Sequence, residues 1–261
     1  MWWVEAVLTG LVPALLGGFV GLVLGILRWP MLLALVGGST TVAAGTNVAV
    51  STVSAMGGTY KHAREGRFDS SLFVWLGGSA VAGGFAGSFL TRVLPAAGLL
   101  WLITALLLYE GAQMLRAAGT PPPPAGSPAE PRWRDSRRRV LVEVIIGFVI
   151  GALSGMVGML LGSLRLPAMI RWLGVDARKA VGTNMAIGLA QGAAATVGHL
   201  WQGQVAVLPL VVVGAAAMLG AYIGAHFTGR LPVPTLKRAI AAVLLVLGLV
   251  MGALAWQASA A

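Results

Sequence analysis

The sequence predicts an all-α polytopic membrane protein made of two inverted-topology repeats. Each repeat is expected to hold one Gly-rich broken, re-entrant segment and about three spanning helices. Three observations lead there. The chain is 57% hydrophobic and only 10% charged, with a mean hydropathy of +0.86, whereas a soluble domain carries about 25% charged residues. Its apolar runs approach the length of a spanning helix and lack the alternation of a membrane β-strand. And the same small polar patch, "AAGTN" at 43–47 and "AVGTN" at 180–184, occurs twice, 137 residues apart.

The offset of 137 extends well beyond that patch. "GGFVGLVLGILRWP" (17–30) falls on "SGMVGMLLGSLRLP" (154–167), with eight of fourteen positions identical, among them Gly18/Gly155, Gly21/Gly158, Gly25/Gly162, Arg28/Arg165 and Pro30/Pro167. Further along, His62 meets His199, Gly83 meets Gly220 and Pro95 meets Pro232. Apolar helices resemble one another by chance; a shared Arg, Asn and His do not. The first repeat covers 1–117 and the second 140–261. The Pro- and Arg-rich stretch 118–139 between them is a solvated linker, and its five Arg put it on the cytoplasmic side by the positive-inside rule.

Within the first repeat, segment 5–28 carries the Gly-rich break "GGFVGLVLG". Ser39 then caps a helix that contains Thr46 and Asn47. Helices follow at 70–92 and 95–117. In the second repeat, segment 141–164 carries the break "GALSGMVGMLLG", and Asp176 caps a helix over 177–199 that contains Thr183 and Asn184. Loop charges reverse between the repeats. "KHAREGR" (61–67) is basic where "GHLWQGQ" (198–204) is uncharged, and uncharged 34–42 faces Arg171, Arg178 and Lys179 in the partner loop. That reversal is the mark of inversion about an axis in the membrane plane. It predicts six full crossings, two re-entrant segments and both termini outside; ordinary spanning by 5–28 and 141–164 is the alternative. The N-terminus "MWWVE" lacks a basic n-region, so the first apolar segment is expected to stay in the mature protein.

The net charge of +10 does not point to nucleic acid, because the basic residues cluster between apolar runs as topology signals do. With no Cys, disulfides, thiol catalysis and thiolate metal sites are excluded. No HExxH, GxSxG or Walker-type loop is present, so neither an enzyme nor a cofactor is expected. The carboxylates are expected in loops or near helix ends, leaving no mid-membrane proton or sodium relay.

The polar atoms of the paired patches suit a small anion. Thr46 and Thr183 sit seven residues beyond their caps, ~10 Å into the helix at 1.5 Å per residue. At that depth an amide needs a partner. Thr46, Asn47, Thr183 and Asn184 can donate to an oxyanion, and the breaks at Gly18, Gly21, Gly25 and at Gly155, Gly158, Gly162 free backbone N–H groups that favour negative charge. Packing between helices is the competing reading. Arg28 and Arg165 are forks suited to an oxyanion, or else interfacial cations before a Pro. Gln191 and Ser54 are further polar candidates. His62 and His199 read as interfacial, and His226, with no repeat partner, as a packing residue.

The duplicated pattern of a Gly-rich first segment, a Pro-marked loop, an "AVGTN" patch and a His near a helix end resembles the TauE/SafE family of membrane permeases over both halves. The first copy departs at Ala44, and the glycine run is thinned. The resemblance implies export of small sulfur-containing anions, sulfite or organosulfonates such as sulfoacetate, across the cytoplasmic membrane. The expected machine is a secondary transporter working by alternating access, with the two patches and two breaks facing one another between the repeats. Its partners are the small anion and membrane lipid, with no metal. A selective anion channel and a non-transporting scaffold are the alternatives.

Overall fold

The computed structural model describes residues 2–90, 96–119, 136–157 and 161–260. These form ten helices and no strand. They are α1 (Trp2–Val20), α2 (Gly25–Leu35), α3 (Thr40–Arg64), α4 (70–90, with a π-helical turn over Phe73–Gly77), α5 (Ala96–Gly119), α6 (Ser136–Val157), α7 (Gly162–Arg171), α8 (Ala177–Trp201), α9 (Val207–Thr228) and α10 (Val233–Ala260). Adding 137 to the first residues of α2, α3, α4 and α5 gives the first residues of α7, α8, α9 and α10. The duplication seen in the sequence is thus a duplication of helices. Most of the linker, the turn at Arg92–Pro95 and Gly158 lie outside the described residues.

Among the described residues, Trp3–Val20, Val207–Thr228 and Val233–Gln257 are long and apolar enough to cross a membrane. The expected break of the first half is present. α1 stops at Gly21, which takes φ +71°, and the Leu22 N–H reaches back 2.8 Å to the Gly17 carbonyl. That is a Schellman-type closure, which needs a residue free of a Cβ at the left-handed position. The matching break of the second half falls on 158–160, outside the described residues; beside it, the Leu161 N–H donates to the Ser154 hydroxyl at 3.3 Å and α7 begins at Gly162.

The chain forms two compact units, and neither is a sequence half. Unit 1 comprises Met1–Ser70 with Arg178–Arg230; unit 2 comprises Ser71–Ala177 with Leu231–Ala261. In unit 1, α1 packs on α9 through close backbone approach. A Cβ on Gly10 would lie 2.3 Å from the Val213 carbonyl, one on Gly18 2.1 Å from that of Ala221, and one on Gly220 2.5 Å from that of Leu11. Around this seam Ala6, Ala14, Leu32, Val50, Val213, Ala217 and Ala221 form a buried core. Lipid gives apolar helices little reason to associate, so small residues that let backbones touch supply the packing.

Unit 2 repeats the pattern internally. α4 packs on α6, with Gly147 against the Leu76 carbonyl and Gly83 against that of Phe148. These are the positions of Gly10 and Val213, and of Gly220 and Leu11, moved by the offset. α5 packs on α10, and here the contact is reciprocal: Gly111 meets Leu245 and Gly248 meets Leu108. Residue i touches the copy of j, and j touches the copy of i, as happens around a two-fold axis.

Candidate anion site

The two Gly-Thr-Asn patches belong to α3 and α8, and both lie in unit 1. Ser39 caps α3 as expected, its Oγ accepting the Val42 N–H at 3.4 Å. Each patch is covered by a loop from the other half. The Gln204 carbonyl lies where a Cβ on Gly45 would be, at 2.1 Å, and the Arg67 carbonyl does the same at Gly182, at 1.8 Å. The next residue fastens the loop. Thr46 Oγ1 accepts the Ala206 N–H at 2.9 Å, and Thr183 Oγ1 accepts the Asp69 N–H at 3.0 Å. Both threonines are fully buried. Their oxygens serve these loops, satisfying backbone donors that would otherwise be buried without a partner.

The asparagines part company. Asn184 is buried, and its Nδ2 donates to the Gly21 carbonyl at 2.7 Å. The second patch therefore holds the first break, and Gly21 presses against the Val181 backbone with no room for a side chain. Asn47 is only partly exposed to the surroundings, but its amide is turned the other way. Arg28 Nε donates to Asn47 Oδ1 at 3.1 Å, and Arg28 Nη2 donates to Ser51 Oγ at 2.7 Å. A guanidinium has donors only, so it fixes the Asn47 oxygen toward itself and leaves the NH2 to face elsewhere. In the same way Ser51 accepts from Arg28 and keeps its own O–H to give. Gly25 lies beside both groups; a Cβ there would sit 3.0 Å from Asn47 Nδ2 and 3.0 Å from Ser51 Oγ.

Arg28 is 1% exposed. Among the described residues it makes no ion pair, and both its hydrogen-bond partners, Asn47 and Ser51, are neutral. A buried cation held only by neutral acceptors keeps its full positive field, which a carboxylate would have cancelled. α2 adds to it. Its N-cap residue, Leu24, offers no side-chain cap, so the first N–H groups of the helix point out with the positive end of its dipole.

The other sequence candidates are distributed as follows. Gly18 forms part of the α1–α9 seam. Gln191 and Ser54 are buried on α8 and α3. Gly155, Gly162 and Arg165 belong to unit 2, where Arg165 is 1% exposed. Ser51 was not among the sequence candidates. Its signal was its place four residues after Asn47, one turn along the same helix face; its counterpart in the second half is Gly188, so the repeat comparison hid it.

Three expectations need correction. His62 is not interfacial: it is fully buried, with Nε2 3.1 Å from the Gly18 carbonyl, because α3 carries it beneath the loop that covers Gly182. His226 is not in the core: its side chain is 38% exposed, lies 3.9 Å from Glu65 and packs edge-on against the Phe227 ring. And carboxylates do occur inside helices. Glu110, nine residues before the end of α5, is buried and paired with Arg171, while Glu143 is buried and paired with Arg139. Pairing is what lets them be buried.

The loop over Gly182 is highly charged. Glu65 contacts Lys61 at 2.8 Å and Arg67 at 2.6 Å, and Arg67 Nη2 also donates to the Ala225 carbonyl at 2.8 Å. Burial works to raise the Glu65 pKa, but the Lys61 hydrogen bond and the charges of Arg67, Lys61 and His226 outweigh it and hold the carboxyl below its usual range. Burial lowers Arg67, with Arg178 adding to the effect and Glu65 opposing it. The matching loop over Gly45 is neutral, its Gln204 bonded to His199 at 2.8 Å. Among the described residues no group of three or more His, Asp or Glu is placed to hold a metal ion.

Apolar helices of spanning length, together with a buried, unneutralised cation, are the makings of a membrane transport protein. The sequence profile of the family described as "Sulfite exporter TauE/SafE" matches residues 6–251, and the chain belongs to that family. It is 31% identical over 208 residues to the "Probable membrane transporter protein YdhB" of Bacillus subtilis (strain 168), covering 76% of this chain and 79% of the relative. No solved structure matches it significantly.

Proposed function

We propose that this transporter exports small sulfur-containing oxyanions, sulfite or organosulfonates, across the cytoplasmic membrane, and that the anion is held at Arg28, Asn47, Ser51 and Gly25. One observation carries the reading. Arg28 is buried against neutral partners only, and those partners are oriented so that their remaining hydrogens are donors. The family description supports the choice of sulfur oxyanions. Gly18, Gly21, Thr46, Thr183 and Asn184 act as the frame that holds the break and the loops in register.

The topology proposed with it is inverted, with six crossings, two broken segments and both termini outside. The reciprocal contacts at Gly45 and Gly182 and at Gly111 and Gly248 support a two-fold relation between the halves. The reversed loop charges support an axis in the membrane plane. Alternating access then exposes the site first to one side and then to the other. With the cell interior negative, expelling one negative charge gains about 2.3 kcal/mol per 100 mV, so export needs no coupling ion.

The test is sulfite efflux from proteoliposomes carrying the purified protein. Wild type is expected to release loaded sulfite when an inside-negative potential is imposed, and Arg28→Met is expected to release it about 10- to 100-fold more slowly. Undiminished efflux through folded Arg28→Met protein sinks the site.

A further inference from the structure

We propose that the Arg28 site accepts one negative charge and discriminates against dianions; this rests on the oxyanion site proposed above. The argument is a charge count. Arg28 supplies one positive charge, and the groups it binds, Asn47 and Ser51, supply none. The uncapped start of α2 at Gly25 adds the positive end of a helix dipole, roughly half a charge. The sum falls short of two. A monoanion leaves the filled site close to neutral. A dianion leaves it with a buried, uncompensated negative charge, which a low-dielectric surrounding penalises steeply.

The second half does not make up the deficit within this cluster. At the position matching Ser51 stands Gly188, and the Asn184 Nδ2 that matches Asn47 Nδ2 donates to the Gly21 carbonyl. Among the described residues of unit 1, the cluster around Arg28 thus carries one full charge.

The donor set sharpens the ligand class. Arg28, the Asn47 NH2 and the Ser51 O–H all give hydrogens. A sulfonate head has three acceptor oxygens and a single charge, and so does hydrogen sulfite in the form protonated on sulfur. Sulfate offers the same tetrahedral shape with twice the charge. Sulfoacetate carries a second charge on its carboxylate.

The decisive pair is methanesulfonate and sulfate, which are nearly equal in size and differ in charge. Full-length protein in detergent is titrated with each while its thermal midpoint is followed, since a ligand of the folded state raises the midpoint in proportion to ln(1 + [L]/Kd). Methanesulfonate is expected to act at a concentration at least about tenfold below that of sulfate, a difference of about 1.4 kcal/mol. Total sulfite is expected to bind better as pH falls and hydrogen sulfite replaces the dianion. Ser51→Ala, which keeps the cation, is expected to weaken methanesulfonate and sulfate alike and to leave their ratio unchanged. Sulfate acting at or below the methanesulfonate concentration overturns the charge rule while leaving an oxyanion site in place. A changed ratio in Ser51→Ala overturns it too, because the hydroxyl and not the charge would then discriminate. No response to either anion overturns both this inference and the site on which it rests.

Discussion

The two Gly-Thr-Asn patches differ where it matters and agree where it does not. At Gly45 and Gly182 they are alike, each roofed by a carbonyl from the other half, and at Thr46 and Thr183 they are alike again. One residue later they diverge. Asn184 Nδ2 donates to the Gly21 carbonyl, whereas among the described residues Asn47 is engaged through its oxygen, which accepts from Arg28. The same side chain donates to backbone in one copy and accepts from a cation in the other. Duplication supplies two equal frames, and the neighbour on the far side of the amide decides which one meets backbone and which one meets Arg28.

The likeness is broken most severely at the glycines. Gly182→Ala puts a methyl group 1.8 Å from the Arg67 carbonyl, and Gly45→Ala puts one 2.1 Å from that of Gln204. Main chain cannot step aside as a side-chain tip can. Overpacking of this kind costs about 1–3 kcal/mol and occasionally more, so both variants are expected at the upper end, with little folded protein by size-exclusion chromatography. If either accumulates normally, the roofing contact is not a constraint. Next in size is the cargo side. Arg28→Met is expected to lower efflux on the folded fraction by about 10- to 100-fold, the equivalent of about 1.5–3 kcal/mol for a hydrogen bond to a charged group.

The asparagines then separate the two roles directly. Asn184→Ala strands the Gly21 carbonyl and is expected to destabilise by about 1–3 kcal/mol, seen as a lower thermal midpoint. Asn47→Ala strands the Nε–H of buried Arg28 and is expected to lower the midpoint as well, but to reduce efflux on the folded fraction far more than Asn184→Ala does. Equal effects of the two on both readouts erase the distinction. The smallest effect concerns the roofs. Glu65 is held below its usual pKa, so its ion pairs with Lys61 and Arg67 stabilise the fold above the unfolded carboxyl's pKa of about 4.3 and are lost as pH falls through the lowered folded value. Acid titration of the midpoint should therefore be steeper in wild type than in Glu65→Gln, while Gln202 and Gln204 in the neutral roof make no such contribution.

Much of this was legible in the sequence. The offset of 137 gave the helix starts, because each half must satisfy the same backbone and packing demands. Arg28 stood out as a charge repeated beside a break. Ser51 did not stand out, since a search for matched pairs passes over a residue whose match is Gly188. The unlike roles of Asn47 and Asn184 were hidden for a different reason: an amide's orientation is set by what meets it across space, and no spacing along the chain reports that. His62 reads as a helix-end residue until the fold puts the Gly182 roof above it.

The interleaving of the compact units governs how the chain can be made. Unit 1 needs residues from Arg178 onward, and unit 2 is incomplete until Leu231–Ala261 has been added. While the ribosome is still making the second half, the newly inserted α1 has no α9 to touch, and the Gly21 carbonyl waits for an Asn184 that has not yet been translated. Assembly must therefore follow insertion, through contacts of very long sequence separation, which are the slow ones to form. A nascent chain halted after its first repeat would be a set of inserted helices with neither of its two cores.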